Sequence, residues 1–234
     1  MVKKLLALAM ALVLVGCATV NKQAFNRDAA KSIAVVVVTQ QPNQDTYEAA
    51  VIGHAGASFG LIGGLIAAAD IQSKSNRFTA AINPGTTKLQ ERLAQAVAEQ
   101  LKTVGYDSAA FSVQKDITEV QWLEAARKVP NAQAALYMRS VAGYWAAGHA
   151  TSYVPRLVVQ ARLVDLKSGT TLFEDTFSYG YASPNMKTIH TGADSKYSYK
   201  DIDALVANPE EARQGLIDGV NVIAKQIAED LKRN

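Results

Sequence analysis

The side chains that most often bind metals or perform catalysis are few and widely spaced in this 234-residue chain. Its three histidines, His54, His149 and His190, have neither a second histidine nor a cysteine at the spacing of a zinc site. Asp201 and Asp203 alternate as in a calcium-binding loop, but the glycine and the terminal glutamate of that loop are missing. The sequence therefore predicts no metal site and no cofactor.

The sequence also lacks a clear motif for nucleophilic catalysis or for nucleotide binding. The sequence has no phosphate-binding loop with its lysine and no dinucleotide GxGxxG. Ser58 lies in a GASFG stretch that matches a nucleophile elbow in spacing only, because no strand leads into it. We therefore expect no catalytic residue and a protein that is not an enzyme. The alternative is an enzyme or a small-ligand carrier whose pocket is lined by His190, Asp194 and Tyr197.

Cys17 is the one cysteine, and its surroundings predict a lipid modification. Lys3 and Lys4 precede an uncharged run over residues 5 to 15, which suits a secretory signal and is too short to cross a bilayer core of about 30 Å. Residues 14 to 17 (LVGC) resemble the bacterial lipobox, in which the cysteine receives a diacylglycerol and becomes the new amino terminus. An ordinary signal peptide with a chance cysteine is the alternative.

Cleavage before Cys17 would divide the chain into three parts. Residues 1 to 16 would be the signal peptide, residues 17 to 32 a lipidated tether, and residues 33 to 234 one domain. Acyl chains such as palmitate would anchor the protein without spanning the membrane, each buried methylene contributing about 0.8 kcal/mol. Because Ala18, and not Asp, follows the cysteine, we expect the periplasmic side of the outer membrane, or the cell membrane in a source with one membrane.

The charge of the mature chain excludes one class of partner. Lys3 and Lys4 leave with the signal, so 22 basic residues remain against 21 acidic ones and the net charge is +1. No basic field for nucleic acid survives. We expect the partners to be the membrane, through the lipid anchor, and an envelope protein or further copies of the chain.

Hydrophobic periodicity then predicts the elements that surround these residues. Residues 33 to 38 (IAVVVV) are apolar on both faces, which is typical of a central strand. We expect a helix that starts from a capping box at Thr87 and closes at Gly105, and another from Asp116 to Pro130. The first of these helices carries a buried stripe of Leu89, Leu93, Val97, Leu101 and Val104.

Three strands and a long helix are expected in the second half of the chain. The strands cover residues 134 to 145, 156 to 166 and 171 to 181, and residues 184 to 206 are polar enough to form a long surface loop. Asn208 would cap the last helix, with a buried stripe of Leu216, Val220, Ile223, Ile227 and Leu231. The fold class is therefore α/β, with a mixed sheet of about five strands and helices packed against it. Aromatic residues of this half are expected in the core: Trp145, Tyr153, Phe173, Phe177, Tyr179 and Tyr181.

Residues 49 to 69 form an uncharged, glycine-rich insertion after the first strand. Gly56, Gly60 and Gly64 have GxxxGxxxG spacing, and on a helix they would share one face that another backbone can approach closely. Because each glycine inside a helix costs about 1 kcal/mol relative to alanine, the segment must recover the loss through packing or through a membrane, or else not be helical. Three interpretations stay open: a helix, or a pair broken near Gly63, folded on its own domain; a face that pairs copies; and membrane insertion.

The order of elements resembles that of a group of envelope lipoproteins. The group includes the curli secretion-channel lipoprotein, the lipoprotein activators of penicillin-binding proteins and the amino-terminal domain of TolB. The likeness covers residues 33 to 234 and rests on the IAVVVV strand, the long last helix and a hairpin at residues 163 to 170 (LVDLKSGT), where Gly169 can adopt positive φ. It implies a small α/β domain that acts through protein contacts. The departure is residues 49 to 69, where those proteins have a short connection.

Taken together, these patterns predict a non-enzymatic envelope lipoprotein that acts by protein–protein contact or self-assembly. A second hypothesis is a subunit of an oligomeric secretion or pore complex, in which the glycine-rich segment contributes to a ring. Likeness of fold by itself does not choose between them.

Overall fold

The computed structural model describes residues 32 to 39, 47 to 51, 60 to 114, 118 to 182 and 186 to 232. Cys17, His54, Gly56, Ser58 and the tether lie outside these ranges, so what was expected of them remains a sequence prediction.

A single mixed sheet organises the described part of the chain. Its strands are β1 (Ser32–Thr39), β2 (Glu48–Val51), β3 (Asp107–Gln114), β4 (Ala134–Ala146), β5 (Val154–Asp165), β6 (Thr171–Gly180) and β7 (Ile189–Thr191). The order across the sheet is β3-β1-β4-β5-β6-β7, and β2 pairs with the second half of β4. The strand pairs β1–β3, β1–β4, β2–β4 and β6–β7 are parallel. The pairs that β5 forms with β4 and with β6 are antiparallel.

The helices are α1 (Gly60–Ile82), α2 (Pro84–Thr87), α3 (Leu89–Thr103), α4 (Glu119–Arg127), α5 (Ile202–Ala207) and α6 (Pro209–Asp230), with a 3-10 helix at Ser195–Tyr197. The predicted α/β class, the mixed sheet and the long carboxy-terminal helix are confirmed, with seven strands in place of about five. Gly169 has the expected positive φ of 74° in the β5–β6 hairpin, and Gly105 closes α3 with a φ of 93°.

One face of the sheet carries the main core. The expected stripes of α3 and α6 are buried there against inward-facing residues of β1, β4 and β5, apart from Val104, which is half-buried. Burying a Leu, Ile or Val side chain contributes about 1.5–3 kcal/mol, so these two stripes hold both helices to the sheet.

Two helix starts differ from the sequence prediction. Thr87 does not cap α3, because it ends α2 and its hydroxyl donates to the carbonyl of Ile82 at 2.8 Å. Lys88, with a φ of 45°, stands before α3 without a side-chain cap. The capping box of α4 joins Thr118 and Gln121, so the cap is two residues later than the predicted Asp116, which lies outside the described residues.

The predicted surface loop at residues 184 to 206 is wrong for its described part. This segment contains β7, the 3-10 helix and α5, and it buries Tyr197 and Tyr199. Its polar residues satisfy turns: Asp194 Oδ1 accepts from the N–H of Lys196, and Asp201 Oδ1 accepts from that of Ala204. Composition suggested a loop because turn-forming residues outnumber the tyrosines that anchor the segment.

Of the helical interpretation of residues 49 to 69, the helix is confirmed from Gly60 onward, whereas the start at residue 49 and a break near Gly63 are wrong. The segment begins inside β2, and α1 starts at Gly60 and passes Gly63 and Gly64 without a break. None of the helices within the described ranges is long and apolar enough to cross a membrane.

Side chains of α1 complete the hydrogen bonding of β2. The N–H of Tyr47 donates to Thr79 Oγ1 and that of Ala49 donates to Ser75 Oγ, both at 3.0 Å. Ser75 and Thr79 lie one turn apart on the face of α1 that also buries Phe78. The second half of α1 therefore lies along β2 where a further strand could have paired.

Two glycines of α6 make room for tyrosine rings. A Cβ atom at Gly215 would lie 2.9 Å from Cγ of Tyr197, and one at Gly219 would lie 2.6 Å from Cδ1 of Tyr179. Real Cβ atoms do not approach so closely, so the helix backbone packs directly on the rings.

We predict that Gly215→Ala and Gly219→Ala each lower the free energy of unfolding by about 1 kcal/mol or more. Overpacking costs about 1–3 kcal/mol and outweighs the helix propensity gained. Urea denaturation measures the effect, with Gly148→Ala as the control because a Cβ there would meet no atom within 4 Å. Equal stability of the three variants would contradict the packing described.

Buried tyrosines also make the fold sensitive to alkali. Burial raises the pKa of Tyr144 and Tyr199 above the ordinary value of 10, and the nearby tyrosines and Glu211 raise it further. Because these pKa values are higher in the folded state, the tyrosines stabilise the fold below the unfolded-state pKa of about 10 and lose that contribution as the pH rises above it.

We predict that Tyr144→Phe costs about 1 kcal/mol at neutral pH, since the hydroxyl donates to the carbonyl of Ala212 at 3.0 Å. The variant should then lose less stability than the parent protein between about pH 8 and about pH 11, because one group no longer has to ionise on unfolding. Urea denaturation at a series of pH values measures both effects. Parallel curves for the two proteins would show that Tyr144 does not contribute to the alkaline transition.

Candidate functional site

The second face of the sheet is covered by α4 at one end. There Trp122 stacks on the ring of Tyr137 at a centroid distance of 4.8 Å, and Ala126 packs beside Val164. Beyond α4, alternate residues of β4, β5 and β6 turn away from the main core. We call this surface the open face; it comprises Arg139, Val141, Trp145, Arg156, Gln160, Arg162, Glu174 and Thr176.

Apolar and cationic groups mix on the open face. Val141 is 44% exposed although β4 lies in the middle of the sheet. Arg139 donates from Nε to the hydroxyl of Tyr137 at 2.9 Å, and the guanidinium of Arg162 lies 5.8 Å from the ring centre of Trp122. Aromatic rings therefore support two of the arginines and limit their conformational freedom.

Arg156 lies deepest in this face, with only 6% of its surface exposed. Its guanidinium stacks over Trp145, 3.8 Å from the ring centre, and Nη1 lies 3.6 Å from Oε2 of Glu48. Nη2 donates to the sulfur of Met186 at 3.8 Å, and Nε has no hydrogen-bond partner among the residues that the structure describes. We call Glu48, Trp145, Arg156, Tyr181 and Met186 the Arg156 site.

Glycines shape the strands around this arginine. Arg156 lies in register with Gly143 of β4 on one side and with Gly180 of β6 on the other, and Gly143 in turn faces Glu48 of β2. A Cβ atom at Gly143 would overlap the backbone of Glu48, so glycine is needed for β2 to reach β4. Gly180 has a φ of 82°, and a Cβ there would overlap the carbonyl of Pro155.

The charge of Glu48 offsets only part of the cost of burying the Arg156 guanidinium. Burial lowers the pKa of Arg156 from its ordinary value, while the charge of Glu48 raises it. Glu48 is also held by Trp145, whose Nε1 donates to its Oε2 at 3.0 Å. A buried N–H without an acceptor costs free energy, and Nε of Arg156 is such a donor among the described residues.

The structure gives the residues of the predicted pocket separate partners. His190 Nδ1 lies 3.1 Å from Ser178 Oγ, Tyr197 donates to Asp218 at 2.5 Å, and Asp194 caps the 3-10 helix. His190 with Ser178 could begin a nucleophile arrangement. However, Ser178 is buried and also bonded to Thr188, and among the described residues no carboxylate is bonded to the imidazole.

The other residues singled out in the sequence are not gathered into one site. Asp203 pairs with Arg77 at 2.5 Å, and His149 is exposed in the turn after β4. In the described ranges, no three His, Cys, Asp or Glu side chains gather in a way that could hold a metal ion. Gly60 and Gly64 lie one turn apart on α1, and their role as a helix-contact face stays a prediction.

Sequence reasoning missed the Arg156 site. Tyr153, Phe177 and Tyr179 are buried as expected, but Trp145 and Tyr181 are half-buried and their rings meet at 5.8 Å beside the arginine. The one available signal was an arginine in an otherwise apolar stretch of a strand (RLVV). Its glycine neighbours become visible only once the strand register is known.

Three solved structures show what the chain resembles in three dimensions. The PelC dodecamer from Paraburkholderia phytofirmans is 14% identical over 91% of this chain and 94% of that chain, with a TM-score of 0.38. Lipoprotein GNA1162 from Neisseria meningitidis is 15% identical over 62% and 83%, with a TM-score of 0.27. The C-terminal domain of LpoB from Salmonella enterica is 15% identical over 64% and 83%, with a TM-score of 0.20. Neither a protein-family model nor a curated protein matches the sequence, and scores this low establish no function.

We predict that Arg156 contributes little to stability. Arg156→Met removes a buried cation with an unpaired N–H, so the free energy of unfolding should stay equal or rise. Glu48→Ala should lower it by about 1–3 kcal/mol, because it takes the charge partner from Arg156 and the acceptor from Trp145. Urea denaturation of both variants measures this. A larger loss for Arg156→Met than for Glu48→Ala would assign the arginine a structural role.

Proposed function

We propose that the chain is a lipid-anchored protein of the bacterial cell envelope that acts by contacting another protein and catalyses no reaction. In this proposal Cys17 carries the acyl chains, the domain faces the periplasm beside the outer membrane, and the open face is the contact surface.

The observation that carries this proposal is the face of the sheet that the described residues leave exposed beyond α4. Antiparallel strands can leave one face to solvent, and here β4, β5 and β6 present Val141, which is 44% exposed, together with arginines and aromatic rings on that face. Trp, Tyr, Met and Arg are the side chains enriched at protein interfaces, and all four types occur together in the Arg156 site. This combination of side chains is typical of a surface that binds another protein.

The length of the tether supports the membrane part of the proposal. Residues 18 to 31 separate Cys17 from the start of β1 at Ser32. Fully extended, 14 residues span about 50 Å at most, so a lipidated Cys17 would keep the domain close to the bilayer but free to turn. Such a tether lets the open face reach a partner in the membrane or beside it.

The test uses the full chain expressed in its own host, with a photo-crosslinking residue at Val141 and a matched one at Lys102, which is exposed on α3 away from the open face. We expect Val141 to crosslink to a second polypeptide and Lys102 not to do so. Mass spectrometry should find residue 17 as the first residue with its sulfur acylated. Cys17→Ala should release the protein from the membrane fraction.

Three results would overturn the proposal. They are an unmodified thiol at Cys17, a first residue other than 17, and equal crosslinking from both positions. Crosslinks between identical chains would make the partner a second copy. Loss of these crosslinks in Gly60→Leu would then place the glycines of α1 in the same assembly.

A further inference from the structure

We propose that the Arg156 site receives a carboxylate of the partner protein, bound side-on by Nε and Nη2 of Arg156. This inference rests on the proposed function for the nature of the partner, and it adds the chemical group that is recognised. The site is on the described part of the chain and is formed by residues of β2, β4 and β5 together with Tyr181 and Met186.

The donors of Arg156 are divided between two edges of its planar guanidinium. Nη1 is turned to Glu48, while Nε and Nη2 direct their N–H groups along a common edge. Within the described ranges, the hydrogen-bond partner on that edge is the sulfur of Met186, 3.8 Å from Nη2, and Nε has no acceptor. Two parallel N–H groups on one edge match the two oxygens of a carboxylate, which is the strongest pairing that arginine makes.

Met186 is suited to give way to such a group. Its side chain is 42% exposed, and a thioether is a weak acceptor on a flexible chain. Replacing the sulfur by carboxylate oxygens exchanges one long contact for two charge-assisted hydrogen bonds and gives Nε an acceptor. Arg156 itself does not have to move, because the stack on Trp145 holds its plane.

Charge selects a carboxylate over a phosphate. Glu48 is fixed beside the site by Trp145, so the local charge of the pair is zero before a ligand arrives. A carboxylate adds one negative charge and uses the one free edge. A phosphate near neutral pH carries up to two charges and would face Glu48 with a single cation, so it should bind more weakly.

The neighbouring rings indicate that the carboxylate belongs to a protein. Trp145 and Tyr181 meet at 5.8 Å beside the guanidinium and form an apolar wall for the carbon atoms next to the acid group. Val141 continues this apolar surface along β4 towards the centre of the open face. An acidic side chain or the carboxy terminus of the partner would thus bind Arg156 and fix the position of the partner on the rest of the open face.

The test observes Nε–H of Arg156 by nitrogen–proton NMR in the lipidated protein held in detergent micelles, with the resonance assigned by its loss in Arg156→Lys. The probes are N-acetylglycylleucine with a free terminus, its carboxamide, N-acetylaspartate N-methylamide and inorganic phosphate. We expect both carboxylates to move the resonance downfield and to saturate, and the carboxamide to have no effect. The carboxylate that saturates at the lower concentration identifies the natural group: N-acetylglycylleucine represents a chain terminus, and N-acetylaspartate N-methylamide represents an acidic side chain.

Variants separate this inference from the proposed function. Because Arg156→Met and Arg156→Lys remove the observed resonance, carboxylate binding to the variants is followed at the indole Nε1–H of Trp145, the ring on which the guanidinium stacks. By that signal, binding should be lost in Arg156→Met, weakened at least tenfold in Arg156→Lys, and retained or tightened in Met186→Ala. No shift with either carboxylate, or a stronger effect of phosphate, would overturn the inference. If carboxylates leave the Arg156 resonance of the parent protein unmoved, and Val141 still crosslinks in Arg156→Met, the inference fails and the proposed function stands.

Discussion

A four-residue parallel pairing between β2 and the second half of β4 connects the unusual parts of this protein. Gly143 permits the close approach, and Ser75 and Thr79 of α1 satisfy the N–H groups on the other edge of β2. Through this pairing the first residues of the glycine-rich insertion, 49 to 51, join the sheet. The same pairing brings Glu48 across Gly143 to the guanidinium of Arg156, so the core and the candidate site depend on one contact.

The two faces of the sheet have different physical roles. On the core face, the stripes of α3 and α6 and the tyrosines packed on Gly215 and Gly219 exclude water and supply the stability. On the open face, strand alternation presents arginines, a central valine and half-buried aromatic rings. Because the larger buried cluster lies on the core face, stability constrains the exposed side chains of the open face less than those of the core.

Arg156 is the clearest case of this division. A cation in a site this buried loses hydration, and its contacts with Glu48 at 3.6 Å and with a sulfur atom recover little of that loss. The stack on Trp145 holds the group in a fixed plane, and in the described part of the chain Nε has no acceptor. An arrangement that costs stability and leaves oriented donors unpaired is typical of a binding site prepared before its ligand arrives.

The sequence by itself determined the parts of the fold that follow from local periodicity. The strands at residues 134 to 145 and 171 to 181, the stripes of α3 and α6, and the turn at Gly169 were all predicted, because each is set by residues near in the chain. The lipidation signal at Cys17 is likewise local, and it remains a prediction. Only the tertiary structure decided that residues 49 to 51 are strand, that residues 189 to 207 fold around buried tyrosines, and that Glu48, Trp145 and Arg156 meet. These features depend on the register between strands that are far apart in the chain, and no local pattern encodes that register.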